Sequence, residues 1–271
     1  MKKNLCDKPI GVFDSGMGGL TVVKELLGTI PCENIIYFGD TARVPYGTKS
    51  KESVIRFSNE IVDFLLQKKV KLILVACNTA SAVALVSIRK KTDVPVMGVI
   101  ESGAAAAAAM TRNGKIGVIG TTATINSGAY KKEIKSLDRN IKVIEQACPL
   151  FVPLVEEGWI SQKITRDVAE KYLSKVKYSG TDTIILGCTH YPLIKKVIAD
   201  ALGNKIRVVD SATEIAKKVK DILKERNILN ETGKQGYRKF YVSDAPEKFK
   251  RLGRLFLGRT VSSVFRINVE K

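Results

Sequence analysis

The chain has 271 residues, of which 45 are lysine or arginine, 27 are aspartate or glutamate and one is histidine, so its formal net charge is +18. An apolar fraction of 45% and a charged fraction of 27% are typical of a folded globular protein, and they exclude a largely disordered or collagen-like chain. The length is sufficient for one large or two small domains whose core needs no disulfide or metal to stabilise it.

Short β-branched segments alternate along the chain with longer helical patterns. The predicted strands are Pro9–Phe13, Asn34–Phe38, Val70–Ala76, Pro95–Ile100, Lys115–Ile119, Lys142–Gln146, Asp182–Gly187, Ile206–Asp210 and Lys239–Ser243. The predicted helices are Gly18–Leu27, Ser50–Lys68, Thr79–Lys91, Ser102–Met110, Gly128–Leu137, Thr165–Lys177, Pro192–Ala201 and Thr213–Asn227. This alternation predicts an α/β fold with mostly parallel sheets flanked by helices, and the continuous apolar strands indicate sheets covered on both faces.

The chain repeats one pattern of strands. Ile10–Gly16 resembles Ile116–Thr122, and Leu72–Thr79 resembles Thr183–His190. The later strand of each pair ends in a cysteine, which is Cys77 in the first half and Cys188 in the second. We therefore expect two pseudo-symmetric lobes that face each other, with the active site in the cleft between them. Residues 1–97 and 208–271 are predicted to form the lobe that carries Cys77, and residues 98–207 the lobe that carries Cys188.

Polar residues follow five of the predicted strands, at the carboxyl ends where open α/β sheets bind their ligands. These clusters are Asp14-Ser15-Gly16, Gly39-Asp40-Thr41, Cys77-Asn78-Thr79, Gly120-Thr121-Thr122 and Cys188-Thr189-His190. A hydroxyl residue at such a position often serves only as a helix cap. Several clusters lead directly into helices, however, and free N–H groups at helix starts favour an anion such as a carboxylate.

Two of the five cysteines are the strongest candidates for chemistry. Free cysteine is usually buried and inert, and we interpret Cys6, Cys32 and Cys148 in this way. Cys77 and Cys188 differ because each lies between a strand and a predicted helix start, where a thiolate is stabilised. Two thiols on opposing lobes suggest an acid and a base on opposite sides of one carbon, which is the arrangement that racemisation requires.

Asp14 and His190 are candidate partners of these thiols. His190 lies two residues after Cys188 and could assist proton transfer there, although a lone histidine is commonly structural. Asp14 is either a turn residue or a partner of Cys77 that transfers a proton or orients a substrate ammonium group. No fourth ligand can be identified for a zinc site built from the two thiols and His190, so no metal is predicted. The glycine-rich segment 11–21 has incomplete dinucleotide and phosphate-loop motifs.

The cysteine pattern and the apolar runs also bear on the compartment. No Cys-x-x-Cys pair is present, and unpaired thiols fit a reducing cytosol. No signal peptide is predicted within residues 1–8, because no apolar stretch follows the lysines. The most apolar run, Leu72–Ile88, contains polar residues and is not expected to span a membrane.

Five segments together resemble the glutamate racemases of the cofactor-independent aspartate/glutamate racemase superfamily. They are Gly11–Val22, Tyr37–Gly47, Ala76–Ser81, Gly117–Thr121 and Leu186–Ile194, and the resemblance extends from residue 9 to about residue 215. The resemblance implies a two-lobed cytoplasmic enzyme that needs no cofactor and is commonly a homodimer. Its implied reaction is the interconversion of L- and D-glutamate, which supplies D-glutamate for peptidoglycan synthesis in the bacterial cell wall.

The resemblance also implies roles for individual residues. Cys77 and Cys188 match the two catalytic thiols, with Cys77 acting on the D enantiomer and Cys188 on the L enantiomer. Asp14 and His190 match their helpers, and Glu156 matches a further acidic residue on the Cys188 side. The positions that match substrate-binding residues are Asp14, Ser15, Tyr46, Gly47, Asn78, Thr79, Thr121, Thr189 and His190.

Three alternative functions remain open at this point. A racemase for aspartate or another amino acid could have the same fold, and a decarboxylase would use only one of the thiols. A nucleic-acid binder is suggested by the net charge, half of whose excess lies in residues 205–271. No aromatic-interleaved basic motif or recognition helix accompanies the charge, so a solvated basic surface is the preferred interpretation. No membrane partner is predicted, and a secondary nucleic-acid interaction stays open.

Overall fold

The computed structural model of the protein describes residues 5–203 and 206–269. The strands are β1 Ile10–Asp14, β2 Ile35–Gly39, β3 Leu72–Val75, β4 Val96–Gly98, β5 Lys115–Gly120, β6 Lys142–Ala147, β7 Thr183–Gly187, β8 Arg207–Asp210, β9 Arg238–Val242 and β10 Val264–Arg266. They form a six-stranded sheet in the order β10-β9-β2-β1-β3-β4 and a four-stranded sheet in the order β6-β5-β7-β8. Every strand pair in the described ranges is parallel.

Helices flank both sheets. They are α1 Leu20–Thr29, α2 Lys51–Gln67, α3 Asn78–Val83, α4 Leu85–Lys91, α5 Val99–Met110, α6 Thr122–Asn126, α7 Ala129–Leu137, α8 Phe151–Glu156, α9 Lys163–Tyr178, α10 Lys195–Leu202, α11 Ser211–Glu225 and α12 Pro246–Leu257. Two short 3-10 helices cover Tyr46–Thr48 and Tyr191–Ile194. The predicted fold class is therefore confirmed: two lobes, each built on a parallel sheet flanked by helices.

Most predicted elements differ from the structure by a few residues at their ends, and two differ in more than that. The predicted strand Pro95–Ile100 stops at Gly98, and Val99 begins helix α5, because a short buried apolar run does not distinguish a strand from a buried helix start. The predicted helix Thr79–Lys91 is divided at Ala84 into α3 and α4.

Three α-helices and one strand were not predicted, namely α6, α8, α12 and β10, and neither was the 3-10 helix Tyr46–Thr48. Of these, α12 has a readable pattern, because Pro246 opens its first turn and Phe249, Phe256 and Leu257 are buried along one face. All three unpredicted helices contribute residues at or beside the site described below.

Both predicted lobe boundaries are wrong in position. The boundary between residues 97 and 98 cuts through β4, whose Gly98 pairs with Val75 in the first sheet. The boundary between residues 207 and 208 cuts through β8. All four residues of β8 pair with β7 in the second sheet, from Arg207 opposite Thr183 to Asp210 opposite Leu186. The carboxylate of Asp210 then accepts a hydrogen bond from Ala212 N at the start of α11, so the chain turns only after that residue. We propose that the chain is divided into two lobes and that it passes from the second lobe back to the first after Asp210. Three short ranges lie outside the described residues, namely 1–4, 204–205 and 270–271. The first of them is half of the segment 1–8, in which no signal peptide is predicted.

One continuous core joins the lobes. Buried apolar side chains of β1 and β7 belong to the same cluster, together with α1 and α11, which lie between the sheets. Because all strands within a sheet are parallel, their carboxyl ends gather at one edge of each sheet, and these two edges supply the residues of the site described below. Among the helices that the structure describes, none combines the length and apolar character needed to cross a membrane.

Candidate active site

Both predicted catalytic thiols line one small cavity between the lobes. Cys77 follows β3 of the first sheet, Cys188 follows β7 of the second, and the cavity between them has a volume of about 30 Å³. Its other lining residues are Ser15, Val44, Pro45, Tyr46, Gly47, Asn78, Thr79, Thr121, Val152, Thr189 and His190. The structure thus brings together every predicted substrate-binding residue except Asp14, which lies behind this lining.

The thiol of Cys77 lies at the start of a helix, as predicted. Its sulfur accepts a hydrogen bond of 3.4 Å from Ala80 N in α3 and lies 3.7 Å from Ser15 Oγ. Burial raises the pKa of this thiol to about 12, the negative charge of Asp14 adds to the rise, and the contacts with Ala80 and Ser15 only partly oppose it. Cys77 therefore carries its proton at neutral pH.

Asp14 lies fully buried at the end of β1, beside Cys77 rather than on the cavity wall. Its Oδ2 accepts a hydrogen bond of 3.0 Å from Gly16 N, whereas its buried Oδ1 has no partner in the described part of the chain. Burial raises the pKa of the carboxyl, and the positive charge of His190 and the backbone donors partly offset this rise. A buried carboxyl with a raised pKa and a free oxygen is suited to exchanging a proton with a neighbour.

A hydrogen-bonded pair supports the second thiol. The sulfur of Cys188 lies 3.9 Å from His190 Nδ1, and His190 Nε2 lies 3.2 Å from Glu156 Oε1. Burial lowers the pKa of His190, but the contacts with Cys188 and Glu156 outweigh this effect and raise the pKa to about 10. The hydrogen bond from His190 lowers the pKa of Glu156. At neutral pH the pair is therefore an imidazolium and a carboxylate, and the imidazolium faces Cys188.

The local structure around Cys188 differs from the prediction. Cys188 was expected at a helix start, but the next element is the short 3-10 helix that begins at Tyr191, and α10 begins only at Lys195. The positive group beside this thiol is therefore the His190 side chain rather than a helix end.

Helix α12 adds two residues that were not predicted from the sequence. The rings of His190 and Phe256 meet edge to face, with centroids 5.1 Å apart, and Lys248 Nζ lies 4.0 Å from Glu156 Oε2. Glu156 lines a second cavity of about 40 Å³ with Lys248, Met17 and Phe249. Because α12 belongs to the first sheet's lobe, the pair that supports Cys188 is completed by residues from the opposite lobe.

A buried carboxylate anchors the segment that forms one wall of the cavity. Asp40, at the end of β2, accepts hydrogen bonds from Tyr46 Oη, from Arg43 Nε at 2.8 Å and from Ser243 Oγ at 2.8 Å. Burial and the charge of Asp40 raise the pKa of Tyr46, so its phenol remains neutral. The network holds Val44–Gly47 against the first sheet. The polar cluster Gly39-Asp40-Thr41 therefore has a structural role through Asp40.

Hydroxyl groups bridge the two lobes around the cavity. Thr79 Oγ1 lies 3.0 Å from Thr121 Oγ1 and 3.1 Å from Thr124 Oγ1, and Thr21 Oγ1 lies 3.1 Å from Thr189 O and 2.9 Å from Gly18 O. These contacts hold the cleft closed over the thiols. Within the described ranges, no group of three histidine, cysteine, aspartate or glutamate side chains is arranged to hold a metal ion.

The arrangement offers acid and base groups on two sides of one enclosed space. Cys77 and Ser15 face it from the first lobe, with Asp14 behind them, and Cys188 and His190 face it from the second, with Glu156 behind His190. The rest of the wall combines apolar residues with neutral hydroxyl and amide groups, and these polar groups can donate to an anionic ligand. This geometry is suited to moving a proton from one face of a bound carbon to the other.

Similarity to known proteins agrees with this chemistry. A profile of the family described as Asp/Glu/Hydantoin racemase matches residues 21–219. A glutamate racemase of Geobacter metallireducens is 51% identical over 263 residues, which cover 97% of each chain.

Two solved structures are also similar. The glutamate racemase of Francisella tularensis in complex with D-glutamate has a TM-score of 0.92 and 41% identity, covering 98% of this chain and 99% of that one. The glutamate racemase isoform RacE1 of Bacillus anthracis has a TM-score of 0.93 and 39% identity, covering 96% and 97%.

Proposed function

The chain belongs to the Asp/Glu/Hydantoin racemase family, among the glutamate racemases, and from this membership we propose that it interconverts L- and D-glutamate by two-base proton transfer. Cys77 and Cys188 are the proposed acid and base at Cα. The observation that carries the proposal is that the two thiols, one from each lobe, line the same small cavity. High similarity along nearly the whole chain favours this function over a decarboxylase or a primary nucleic-acid binder.

The two thiols are proposed to act on opposite faces of Cα. Cys188, which faces the imidazolium of His190, removes the α-proton of L-glutamate. Cys77, which holds its proton, then gives that proton to the opposite face of the carbanion, so that the C–H bond broken at one face is replaced by one formed at the other. In the direction from D-glutamate, Asp14 takes the Cys77 proton first, and the thiolate so formed removes the α-proton. The carbanion then takes a proton at its other face from Cys188, to which His190 Nδ1 supplies one, so that His190 loses the proton that Asp14 gains.

Substrate carboxylates are proposed to bind the neutral donors of the cavity wall. Ser15, Asn78, Thr121 and Thr189 surround the space between the thiols and can donate to a carboxylate. Because negative charge grows on the α-carboxylate as the proton leaves, fixed donors there stabilise the transition state more than the ground state. A cavity of about 30 Å³ is room for only one or two waters, so the lobes have to separate to admit a glutamate.

Exchange with solvent tests the reaction and its mechanism class. Incubation of L- or D-glutamate with the protein in deuterium oxide, without added cofactor, should give the opposite enantiomer with deuterium at Cα. Cys77→Ser and Cys188→Ser should each lower kcat by about 1,000-fold or more, because a serine hydroxyl is a far weaker acid than a thiol. Binding of D-glutamate, measured by calorimetry, should change much less.

Cys148→Ser is the matched control, since Cys148 is fully buried but lies outside the cavity lining. Its turnover should stay within about twofold of the wild type. Full activity in Cys77→Ser or in Cys188→Ser would refute the two-base scheme. Parallel assays with aspartate, followed by circular dichroism, would detect a different substrate preference.

We also propose the cellular setting that the family resemblance implies. The protein would act in the cytoplasm as a homodimer and supply D-glutamate for peptidoglycan. Depletion of the protein should then make growth depend on added D-glutamate, and sedimentation should give twice the monomer mass. Growth without D-glutamate, or a monomeric mass, would contradict the respective part.

A further inference from the structure

Tyr130, on α7 of the second lobe, extends across the cleft to the residue that follows Cys77. Its hydroxyl donates a hydrogen bond of 2.7 Å to Asn78 Oδ1 and lies 2.9 Å from Ser211 Oγ. Ser211 Oγ in turn lies 3.3 Å from Leu186 O. The side chain of Tyr130 is 1% exposed, so water does not compete for these contacts. A buried chain of hydrogen bonds therefore runs from α11 through Tyr130 to the first residue of α3.

This chain of contacts determines which way the Asn78 amide faces. A tyrosyl hydroxyl has one proton to donate, and Tyr130 gives it to Asn78 Oδ1, so Ser211 donates to Tyr130 or to Leu186. Burial raises the pKa of Tyr130, which keeps that proton in place. In residues 5–203 and 206–269 the bond from Tyr130 is the only hydrogen bond made by the Asn78 side chain. Its Nδ2 group is left without a protein partner, on a residue that lines the cavity.

We propose that Tyr130 is a positioning residue for the reaction, which holds Asn78 Oδ1 so that the Asn78 NH₂ group faces the cavity as a donor to a substrate carboxylate. This inference rests on the proposed function, because it requires an anionic substrate between the thiols. Without Tyr130 the amide can rotate by half a turn and present its oxygen, which repels a carboxylate. Because Tyr130 and Asn78 belong to opposite lobes, the donor is oriented only when the cleft is closed.

The test is removal of a single hydroxyl group. Tyr130→Phe should raise the Kd for D-glutamate and the KM for both enantiomers by about tenfold, the usual effect of losing one oriented neutral hydrogen bond. Tyr191→Phe is the matched control: its hydroxyl is equally buried in the same lobe, but donates to Cys148 O. The control should bind D-glutamate within twofold of the wild type. Thermal melts of both variants establish that they fold.

A double-mutant cycle separates positioning from a general structural effect. In an Asn78→Ala background, Tyr130→Phe should change the Kd by less than twofold, since the amide it positions is gone. An equal loss of binding in both backgrounds would overturn the proposal, and so would an unchanged Kd for Tyr130→Phe in an enzyme that racemises glutamate. A wild type that does not racemise glutamate would instead refute the proposed function.

A measurement on the wild type keeps the inference falsifiable if Tyr130→Phe does not fold. In ¹⁵N-labelled protein, the side-chain NH₂ resonances that disappear in Asn78→Ala should shift when D-glutamate binds. The absence of a shift at saturating D-glutamate would overturn the assignment of Asn78 as a donor.

Discussion

At the scale of single residues, the two thiols have chemically different environments. Burial and a neighbouring carboxylate raise the pKa of Cys77, whereas a protonated imidazole faces Cys188. A pseudo-symmetric repeat therefore carries two thiols whose charged neighbours have opposite signs. The difference follows from the residues beside each thiol, namely Asp14 in one lobe and His190 with Glu156 in the other.

The contribution of the Glu156–His190 pair to stability should depend on pH. The pKa of His190 rises from 6.5 to about 10 on folding, so its contribution is complete below pH 6.5 and is lost as the pH rises through 10. The pKa of Glu156 is lowered from 4.5, so its contribution is present above pH 4.5 and is lost as the pH falls through the folded value. Glu156→Gln should therefore lower the free energy of unfolding by about 2 kcal/mol near pH 5.5 and by progressively less towards pH 10.

Urea unfolding of the wild type and of Glu156→Gln, from about pH 5.5 to about pH 10, measures the difference in the free energy of unfolding. Glu157→Gln is the control, because the neighbouring Glu157 is exposed and its change in stability should stay small at every pH. A difference for Glu156→Gln that does not vary with pH would contradict the assigned charge states.

At the scale of elements, the start of α1 packs directly against the second lobe. A Cβ atom added at Gly18 would lie 2.6 Å from His190 Nδ1 and would collide with Thr189 Oγ1. The segment before α1 therefore requires a residue without a side chain, which assigns a steric reason to one glycine of the Ser-Gly-Met-Gly-Gly sequence. The close approach also means that α1 and the Cys188 side of the site cannot move independently while the cleft is closed.

Two glycine-to-alanine substitutions in this region should differ in effect: one should lower activity and the other should raise stability. Gly18→Ala should displace His190 and lower kcat/KM by about 100-fold, because small displacements of catalytic groups are that costly. Gly28→Ala lies within α1 itself, where an added Cβ meets no atom within 4 Å, and it should raise the free energy of unfolding by about 0.5–1 kcal/mol. Steady-state kinetics measure kcat/KM of Gly18→Ala, and urea unfolding measures the stability of Gly28→Ala. Normal activity in Gly18→Ala would show that the cleft is not closed in this way in solution.

At the scale of the whole molecule, a buried ion pair joins distant parts of the chain. Lys71 Nζ lies 2.7 Å from Glu33 Oε2, and both side chains are fully buried. Lys71 also donates to Cys6 O at 2.7 Å and Ile228 O at 2.8 Å, while Asn230 N donates to Glu33 Oε1 at 2.8 Å. One cluster thus connects the segment before β1, the start of β3 and the connection from α11 to β9.

Loss of one partner of this pair should be costly, whereas loss of both should cost less. Lys71→Met leaves the Glu33 carboxylate buried without its cation and should lower the free energy of unfolding by about 3–5 kcal/mol. The double variant Lys71→Met/Glu33→Leu should recover a large part of that loss, because no unpaired charge remains. Urea unfolding provides the values. A double variant that is less stable than Lys71→Met would show that the pair itself, rather than its charge balance, stabilises the fold.

Much of the fold could be predicted because it depends on local patterns. Strand and helix alternation indicated two parallel sheets, and the repeat of Leu72–Thr79 at Thr183–His190 placed a thiol in each lobe. The errors arose where local patterns are ambiguous. An apolar run at Pro95–Ile100 contains both a strand and a helix start, and the crossing between lobes lies three residues beyond the predicted boundary because β8 continues to Asp210.

By itself, the sequence determined the fold class, the family and the list of groups that can carry proton-transfer chemistry, since these depend on residue types and short spacings. Only the tertiary structure decided which groups meet: Lys248 and Phe256 from α12 at the Glu156–His190 pair, and Tyr130 at Asn78. The physical reason is distance along the chain. Hydrogen bonds and burial act over a few ångströms in space, but these partners are separated by some 50 to 90 residues, and no local pattern records which of many polar side chains will be adjacent after folding.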